Sequence, residues 1–292
     1  MRIQRRQFLA GALGTKALAA ASGYAPVLAA QAYVWTQVLR QQKRTLADGL
    51  EDVIAGMRAA GFQNAELISV FFTPELAPRT ISLLRQHRLK APIVYSGGPM
   101  HTSEGAARTI AETVKLAGAI RDAGARIINF NPSPKPGKAL KTEGELRQEA
   151  AAVRELASEL QNKGLELILH HHDPEMKADA REWRYLVRNT ELRLCVDTDW
   201  VRRGGQDPMA IVREAGSRLA SLHLRNANNG VWAEAFGEGD IDYRKLAAYL
   251  RRTGYQGYLV VELAYEKRTR ITRSLEEDLR LSREYARKVF GV

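Results

Sequence analysis

At 292 residues, 45% hydrophobic and 26% charged, the chain is long enough for one large domain or two small ones, and its ordinary globular composition excludes a disordered or fibrous protein. Its 44 Lys and Arg against 33 Asp and Glu give a net charge of +11, but residues 1–30 carry four of those charges, and the +7 that remains is spread over helical stretches. Such a spread suits a solvated basic surface rather than a nucleic-acid footprint, and a single cysteine, Cys195, excludes an intrachain disulfide.

Residues 1–30 read as a targeting leader and residues 31–292 as one domain. The leader opens with Arg2, Arg5 and Arg6, continues through a weakly apolar stretch from Phe8 to Ala21 that Lys16 interrupts, and ends in small residues. Its Arg5-Arg6-Gln7-Phe8-Leu9 run resembles a twin-arginine export signal, which implies a periplasmic or otherwise exported protein cut near Ala30 or Ala32. The apolar stretch is too short and too charged for a stable membrane span.

Beyond the leader, short apolar runs rich in Val, Ile, Leu and Tyr alternate with amphipathic stretches. The predicted strands are Tyr33–Thr36, Ala65–Val70, Pro92–Tyr95, Arg126–Asn131, Leu165–His170, Leu192–Asp197, Leu219–Leu224 and Tyr258–Leu263. All are apolar on both faces, as covered parallel strands are. The clearest predicted helices are Leu46–Ala60, Ala106–Ala123, Glu143–Lys163 and Tyr243–Thr253, each followed by a glycine where a left-handed cap is wanted. Eight strands each followed by a helix in about 260 residues predict an α/β fold, a (β/α)8 TIM barrel in one domain. A doubly wound open sheet is the rival, but Trp35-Thr36-Gln37-Val38 after the first predicted strand is not a Gly-rich phosphate loop.

In such a barrel the functional groups close the strands. Four successive predicted strands end in a polar group: His170 in His170-His171-His172-Asp173, then Asp197, His223 and Glu262, spaced 27, 26 and 39 residues apart, about one βα unit each. Alone, a strand histidine suits a core and a strand-end acid suits a helix cap. Together, two carboxylates and two imidazoles on one rim suit one divalent ion, Mn, Zn, Co or Fe rather than Ca. Cys195 lies deeper on the Asp197 strand and is expected in the core. Glu66 and Asn131, at or near the ends of strands two and four, are candidates for contact with a ligand's hydroxyls, and Trp35 and Trp200 for stacking on a ligand ring. His101 and Glu175 fall in loops able to cover the mouth, and His87 is expected at the surface.

The segments Asp197-Thr198-Asp199-Trp200, Gly205-Gln206-Asp207-Pro208 and Leu222-His223-Leu224-Arg225-Asn226 are similar to the xylose isomerase-like sugar isomerase/epimerase superfamily. So are Gly237-Glu238-Gly239-Asp240-Ile241-Asp242, Gly254-Tyr255-Gln256-Gly257-Tyr258 and Val261-Glu262, and the likeness spans the chain after the leader. The resemblance implies one divalent metal held from strands five to eight, with Asp197, His223 and Glu262 as ligands. His170 stands where the family has a glutamate, within a His-x-His that puts His172 on the same face. That substitution leaves Glu262 and His170 as the catalytic pair. It opens lyase, dehydratase or hydratase chemistry on an oxidised sugar, such as a 3-keto-glycoside, beside isomerisation or epimerisation of a free sugar or keto-sugar. Arg225 replaces a common lysine and serves either as a clamp on a substrate oxygen or in a surface salt bridge. A sugar-binding barrel without turnover is the rival from another class. The superfamily's DNA-repair endonucleases want three zinc ions and a histidine three residues after the strand-six Asp, where this chain has Trp200. Relatives also pair barrels, which makes a homo-oligomer one arrangement the resemblance allows.

Overall fold

The computed structural model describes residues 23–292, so the expected export signal, the run Arg5–Leu9, lies outside the described residues. Eight parallel strands close into a barrel: β1 Val27–Gln31, β2 Asn64–Ile68, β3 Lys90–Gly98, β4 Ile127–Pro132, β5 Glu166–Leu169, β6 Arg193–Asp197, β7 Leu219–Leu224 and β10 Tyr258–Val261. The other two strands, β8 Ala227–Asn228 and β9 Val231–Trp232, form an antiparallel hairpin over the mouth between β7 and β10. Helices follow the strands and bury one face against the barrel. No helix among the described residues is long and apolar enough to cross a membrane.

The first strand is displaced from its predicted place. Tyr33–Thr36 is the start of a helix, Tyr33–Gln41, whose Val34, Trp35 and Leu39 are buried. The strand lies earlier, at Val27–Gln31, within the stretch assigned to the leader. It pairs with β10 from Val27↔Tyr258 to Ala30↔Val261 and with β2 at Gln31↔Glu66. A cut at Ala30 or Ala32 would remove the strand that closes the barrel, so the barrel begins N-terminal to the expected boundary. Propensity misleads here for a physical reason. Val-Trp-Thr is rich in strand formers, whereas Leu28-Ala29-Ala30 looks like a leader's small-residue end. Inside a small barrel, an alanine fills the narrow interior, and Ala29 is fully buried there while Ala30 is fully buried on the opposite face, against the helices.

The interior is layered. Ala29, Ile93, Ile127, Ile168, Cys195 and Val260 form an apolar plug, which confirms Cys195 as core. Two residues further along the same strands, on the same face, stand Gln31, Tyr95, Asn129, His170, Asp197 and Glu262. The period of two thus turns one apolar ring into one polar ring at the C-terminal end of the barrel. The separate outer core, between strands and helices, takes most of the large apolar side chains.

Candidate functional site

The polar ring is the floor of a cavity of about 550 Å³, walled by Tyr95, His172, Trp200, Arg225, Trp232 and Glu262. Register brings its members together: Asp197 pairs with His223, and His223 with Val260, which places Glu262 one step above. Asp197, His223, Glu66 and His170 are all essentially buried.

The Asp197-Thr198-Asp199-Trp200 segment builds the wall. Asp197 Oδ1 caps the helix Thr198–Arg203 by accepting from the backbone N–H groups of Asp199 and Trp200, both at 2.9 Å. Its other oxygen, Oδ2, accepts from Arg225 Nη2 at 2.7 Å. The same Nη2 stands 2.9 Å from Glu262 Oε1. Thr198 Oγ1 donates to His223 O at 3.1 Å and meets the Tyr243 hydroxyl at 2.6 Å. Asp199 accepts from Trp232 Nε1 at 2.6 Å and from Arg203 at 2.8 Å, which fixes the Trp232 ring. Trp200 and Trp232 meet edge to face, and the Arg225 guanidinium lies 5.2 Å and 4.8 Å from their centroids.

The hairpin that carries Trp232 is fastened by the Gly-Glu-Gly-Asp segment. A Cβ at Gly239 would stand 2.4 Å from Ala227 O, so only glycine allows that approach. Asp240 then accepts from the N–H groups of Asn229 and Gly230 at the hairpin turn, at 2.9 and 2.8 Å. Asn226 ties the same loop through the carbonyls of Gly237 and Ile241.

His223 is held from both sides. Its Nδ1 meets Glu262 Oε2, and its Nε2 stands 3.0 Å from Glu66. Burial alone would make this ring neutral; Cys195, Glu66 and Glu262 reverse that and hold its pKa well above the ordinary value. Burial also works against an ionised Glu262, and Arg225 and His223 overcome it, so the carboxyl is held well below the usual range. Asp197 is pushed up to about 6 by burial, against the pull of Arg225. His170 is the opposite case. Neither ring nitrogen has a partner, and burial, with the His223 charge nearby, holds its pKa well below the ordinary value. His171 faces away from the cavity, and its Nε2 accepts from the Asp197 N–H at 3.2 Å. His172 lines the cavity, with a pKa lowered to about 4 by burial.

A model of the xylose isomerase-like TIM barrel family matches residues 54–288. The chain belongs to that family. Two inosose dehydratases illustrate the distance to its curated members. One from Bacillus thuringiensis (strain Al Hakam) is 23% identical over 278 residues, covering 83% of this chain and 90% of the relative. One from Clostridium perfringens (strain ATCC 13124) is 26% identical over 147 residues, covering 43% of this chain, and the chain spans only 50% of that relative's length. Among solved structures, an L-ribulose 3-epimerase superposes with a TM-score of 0.74 at 16% identity, over 91% of this chain and 95% of the other, a likeness of fold.

Within the family frame, the predicted residues divide. Asp197, His223 and Glu262 converge with their ligand atoms within 4.8 Å of one another, and His170, Cys195 and His223 form a second such group. Among the described residues these are the groups whose spacing suits a metal ion. His172, Arg225 and Trp200 reach the cavity, so Arg225 is not a surface ion-pair residue. Glu66 sits in mid-strand beneath the floor, bound to His223 rather than open to a ligand. Asn131 is buried, donates to its neighbour's carbonyl and does not line the cavity. Asn129, two residues earlier on the same face, is the asparagine that reaches Glu66 and His223, and strand alternation from Ile127 is the signal that finds it. Trp35 belongs to the outer core, where a Cβ at Gly56 would clash with its ring at 2.2 Å. Glu175 is a buried cap whose Oε2 accepts from the His172 N–H at 2.7 Å, and His101 and His87 lie away from the cavity. Gln31, Tyr95 and Trp232 are wall residues that no sequence motif singled out.

The donor set fits a divalent ion poorly in this arrangement. An ion held by Asp197 Oδ2 and Glu262 Oε1 would stand about 2.1 Å from each oxygen, in the place Arg225 Nη2 takes. His223, with a carboxylate at each ring nitrogen, has both positions committed as donors and no lone pair to give.

Proposed function

We propose that this barrel is an enzyme that moves a proton at a carbon next to the carbonyl of a non-phosphorylated sugar or keto-sugar, so isomerising or epimerising it. The observation that carries this reading is the pairing of two bases across one cavity with a fixed cation between them. His172 follows β5 and Glu262 follows β10, and β6 and β7 separate those strands around the rim. At neutral pH the His172 imidazole is uncharged and Glu262 is ionised, so either takes the proton from carbon. As its conjugate acid it returns a proton to the enediolate at the neighbouring carbon or, after exchange with solvent, the other group returns one on the opposite face. Arg225 lines the same cavity, where charge develops on an enediolate oxygen. Trp200 and Trp232 line the same cavity and give it apolar surface for the ring's C–H side. His170, beneath them, is a positioning group rather than the base that meets substrate. A divalent ion would enter this site only with Arg225 displaced.

Dehydration is the second reading, favoured by one observation: the curated relatives named above are inosose dehydratases. Removal of the same proton followed by loss of a β-hydroxyl needs one base and one electrophile, which Glu262 and Arg225 supply. The twin-arginine-like run Arg5-Arg6-Gln7-Phe8-Leu9 supports export, and export favours a substrate without phosphate.

The test is solvent exchange. Free ketoses, inososes and 3-keto-glycosides are incubated with the protein in deuterium oxide and followed by proton NMR. Deuterium at a carbon next to the carbonyl, with an epimer, isomer or dehydrated product, is expected. Glu262→Gln should lower that exchange by about 10²–10⁴-fold. Sugars that bind without exchange on the whole panel would make this a sugar-binding barrel instead.

A further inference from the structure

The buried carboxylates of this mouth already have their cation. We propose that the Arg225 guanidinium stands in for the divalent ion, so that the wild-type chain holds no metal there and Arg225 is the group that meets the substrate oxygen. The inference concerns which cation occupies the site, and it holds whether or not a sugar is turned over.

Three features of the chain build a seat for a guanidinium rather than for a metal. The first is the shared donor: Nη2 spans Asp197 Oδ2 at 2.7 Å and Glu262 Oε1 at 2.9 Å, so one nitrogen neutralises two carboxylates from strands on either side of β7. The second is the aromatic enclosure. The guanidinium lies 5.2 Å and 4.8 Å from the ring centroids of Trp200 and Trp232, which meet edge to face around it, and Trp232 is held there by Asp199 and by the hairpin that Gly239 and Asp240 fasten. Planar guanidinium is suited to such an enclosure, whereas a hydrated metal ion needs oxygen or nitrogen donors on those sides. The third is the fate of the remaining ligands. His223 is locked between Glu66 and Glu262, and the family's strand-five glutamate is His170, an imidazole whose ring nitrogens have no partner. Relative to that pattern the site has lost a negative charge on β5, which weakens it for a dication, and after β7 it has a planar guanidinium in place of a lysine's ammonium. The backbone helps to hold Arg225 in place, since its carbonyl accepts from the Tyr243 hydroxyl at 2.5 Å.

The experiment is metal loading of the full chain, read without any activity assay. Wild type, Arg225→Met and Asp197→Asn are each incubated with Mn²⁺, Zn²⁺ or Co²⁺ and dialysed. Metal content is measured by mass spectrometry and Tm with and without ion. Wild type should stay essentially metal-free with an unchanged Tm. Arg225→Met, stripped of its guanidinium, should take up about one ion per chain and gain Tm on loading. Arg225→Gln replaces it should Arg225→Met fail to fold. A wild type that carries about one ion per chain, lost in Asp197→Asn, would overturn the proposal. So would a folded Arg225 variant that takes up no ion, because the guanidinium would then not be occupying a cation site. Failure of the sugar-exchange test leaves all of these readings unchanged.

Discussion

Two buried cations, each set between two carboxylates, behave differently in this barrel. Lys141, essentially buried, bridges Glu149 and Glu182 outside the barrel; Arg225 bridges Asp197 and Glu262 at the cavity wall. The Lys141 ammonium is a point charge spent on its two acids, 2.7 Å from Glu182, and it reaches no ligand cavity. Arg225 commits one nitrogen to both acids while its side chain lines the cavity beside the two tryptophans. A cation that lines no cavity is a structural tie, and a cation in a cavity wall is a place for a ligand. The distinction lies in where the side chain stands, not in burial, which the two share.

The largest effect should come from cutting the structural tie. Lys141→Met leaves Glu149 and Glu182 buried without their cation and should lower stability by about 3–5 kcal/mol, measured by urea denaturation. No divalent ion should restore it, whereas Arg225→Met should recover stability on loading. If Lys141→Met unfolds with the wild-type midpoint, the two clusters do not differ as argued.

A smaller effect links the two regions through Glu175, which lies between them. Burial, with the Glu182 charge adding to it, pushes its pKa up to about 7, while its Oε2 holds the His172 N–H. The folded value is above the unfolded one, so the native state binds the extra proton between about pH 4.5 and 7. Over that window Glu175 costs increasing stability as pH rises, and above it the cost is constant at about 3 kcal/mol. Glu175→Gln keeps an acceptor for His172 and cannot ionise. The variant should gain on wild type between pH 5 and 8, with a flat difference above. A stability difference that does not change with pH would mean that Glu175 is ionised throughout.

How much of this was legible in the sequence follows from what each residue reports locally. Strands five to eight were readable because each apolar run ends in a charged or imidazole group, and pairing then brought Asp197, His223 and Glu262 together. β1 was not, because alanines suit a barrel interior and a leader's end equally well. Arg225 was named, but its partners were not, since the contact with Asp197 and Glu262 depends on how far a long side chain folds back over the strand end. Trp232 shows the limit most clearly. It lies on a two-residue strand in a loop, with no periodicity, and reaches the site only because Asp199 and Asp240 fasten its hairpin. Trp35 fails for the converse reason: an aromatic next to a predicted strand end is equally at home against a helix, and Gly56 makes the room for it.

The smallest predicted effect concerns how the cavity wall is joined to the helix behind it. After β5 the chain makes one helical turn that carries Asp173 and Glu175, then reverses through Ala178, Asp179 and Ala180, with φ of 49°, 59° and 52°. Three consecutive non-glycine residues in the left-handed region cost about 1–2 kcal/mol each. Arg184 offsets part of that by donating to Asp179 O at 2.7 Å and pairing with its carboxylate. The reversal lets the wall turn follow the cavity while the following helix packs against the barrel, a task an uninterrupted helix cannot perform. Ala178 is exposed, so glycine there relieves strain without opening a cavity. Ala178→Gly should therefore stabilise the fold by about 1 kcal/mol once the added freedom of the unfolded chain is deducted. Ala178→Val should do the reverse. A glycine variant less stable than wild type in urea would show that this turn is not strained, and that the wall and the helix are joined at no conformational cost.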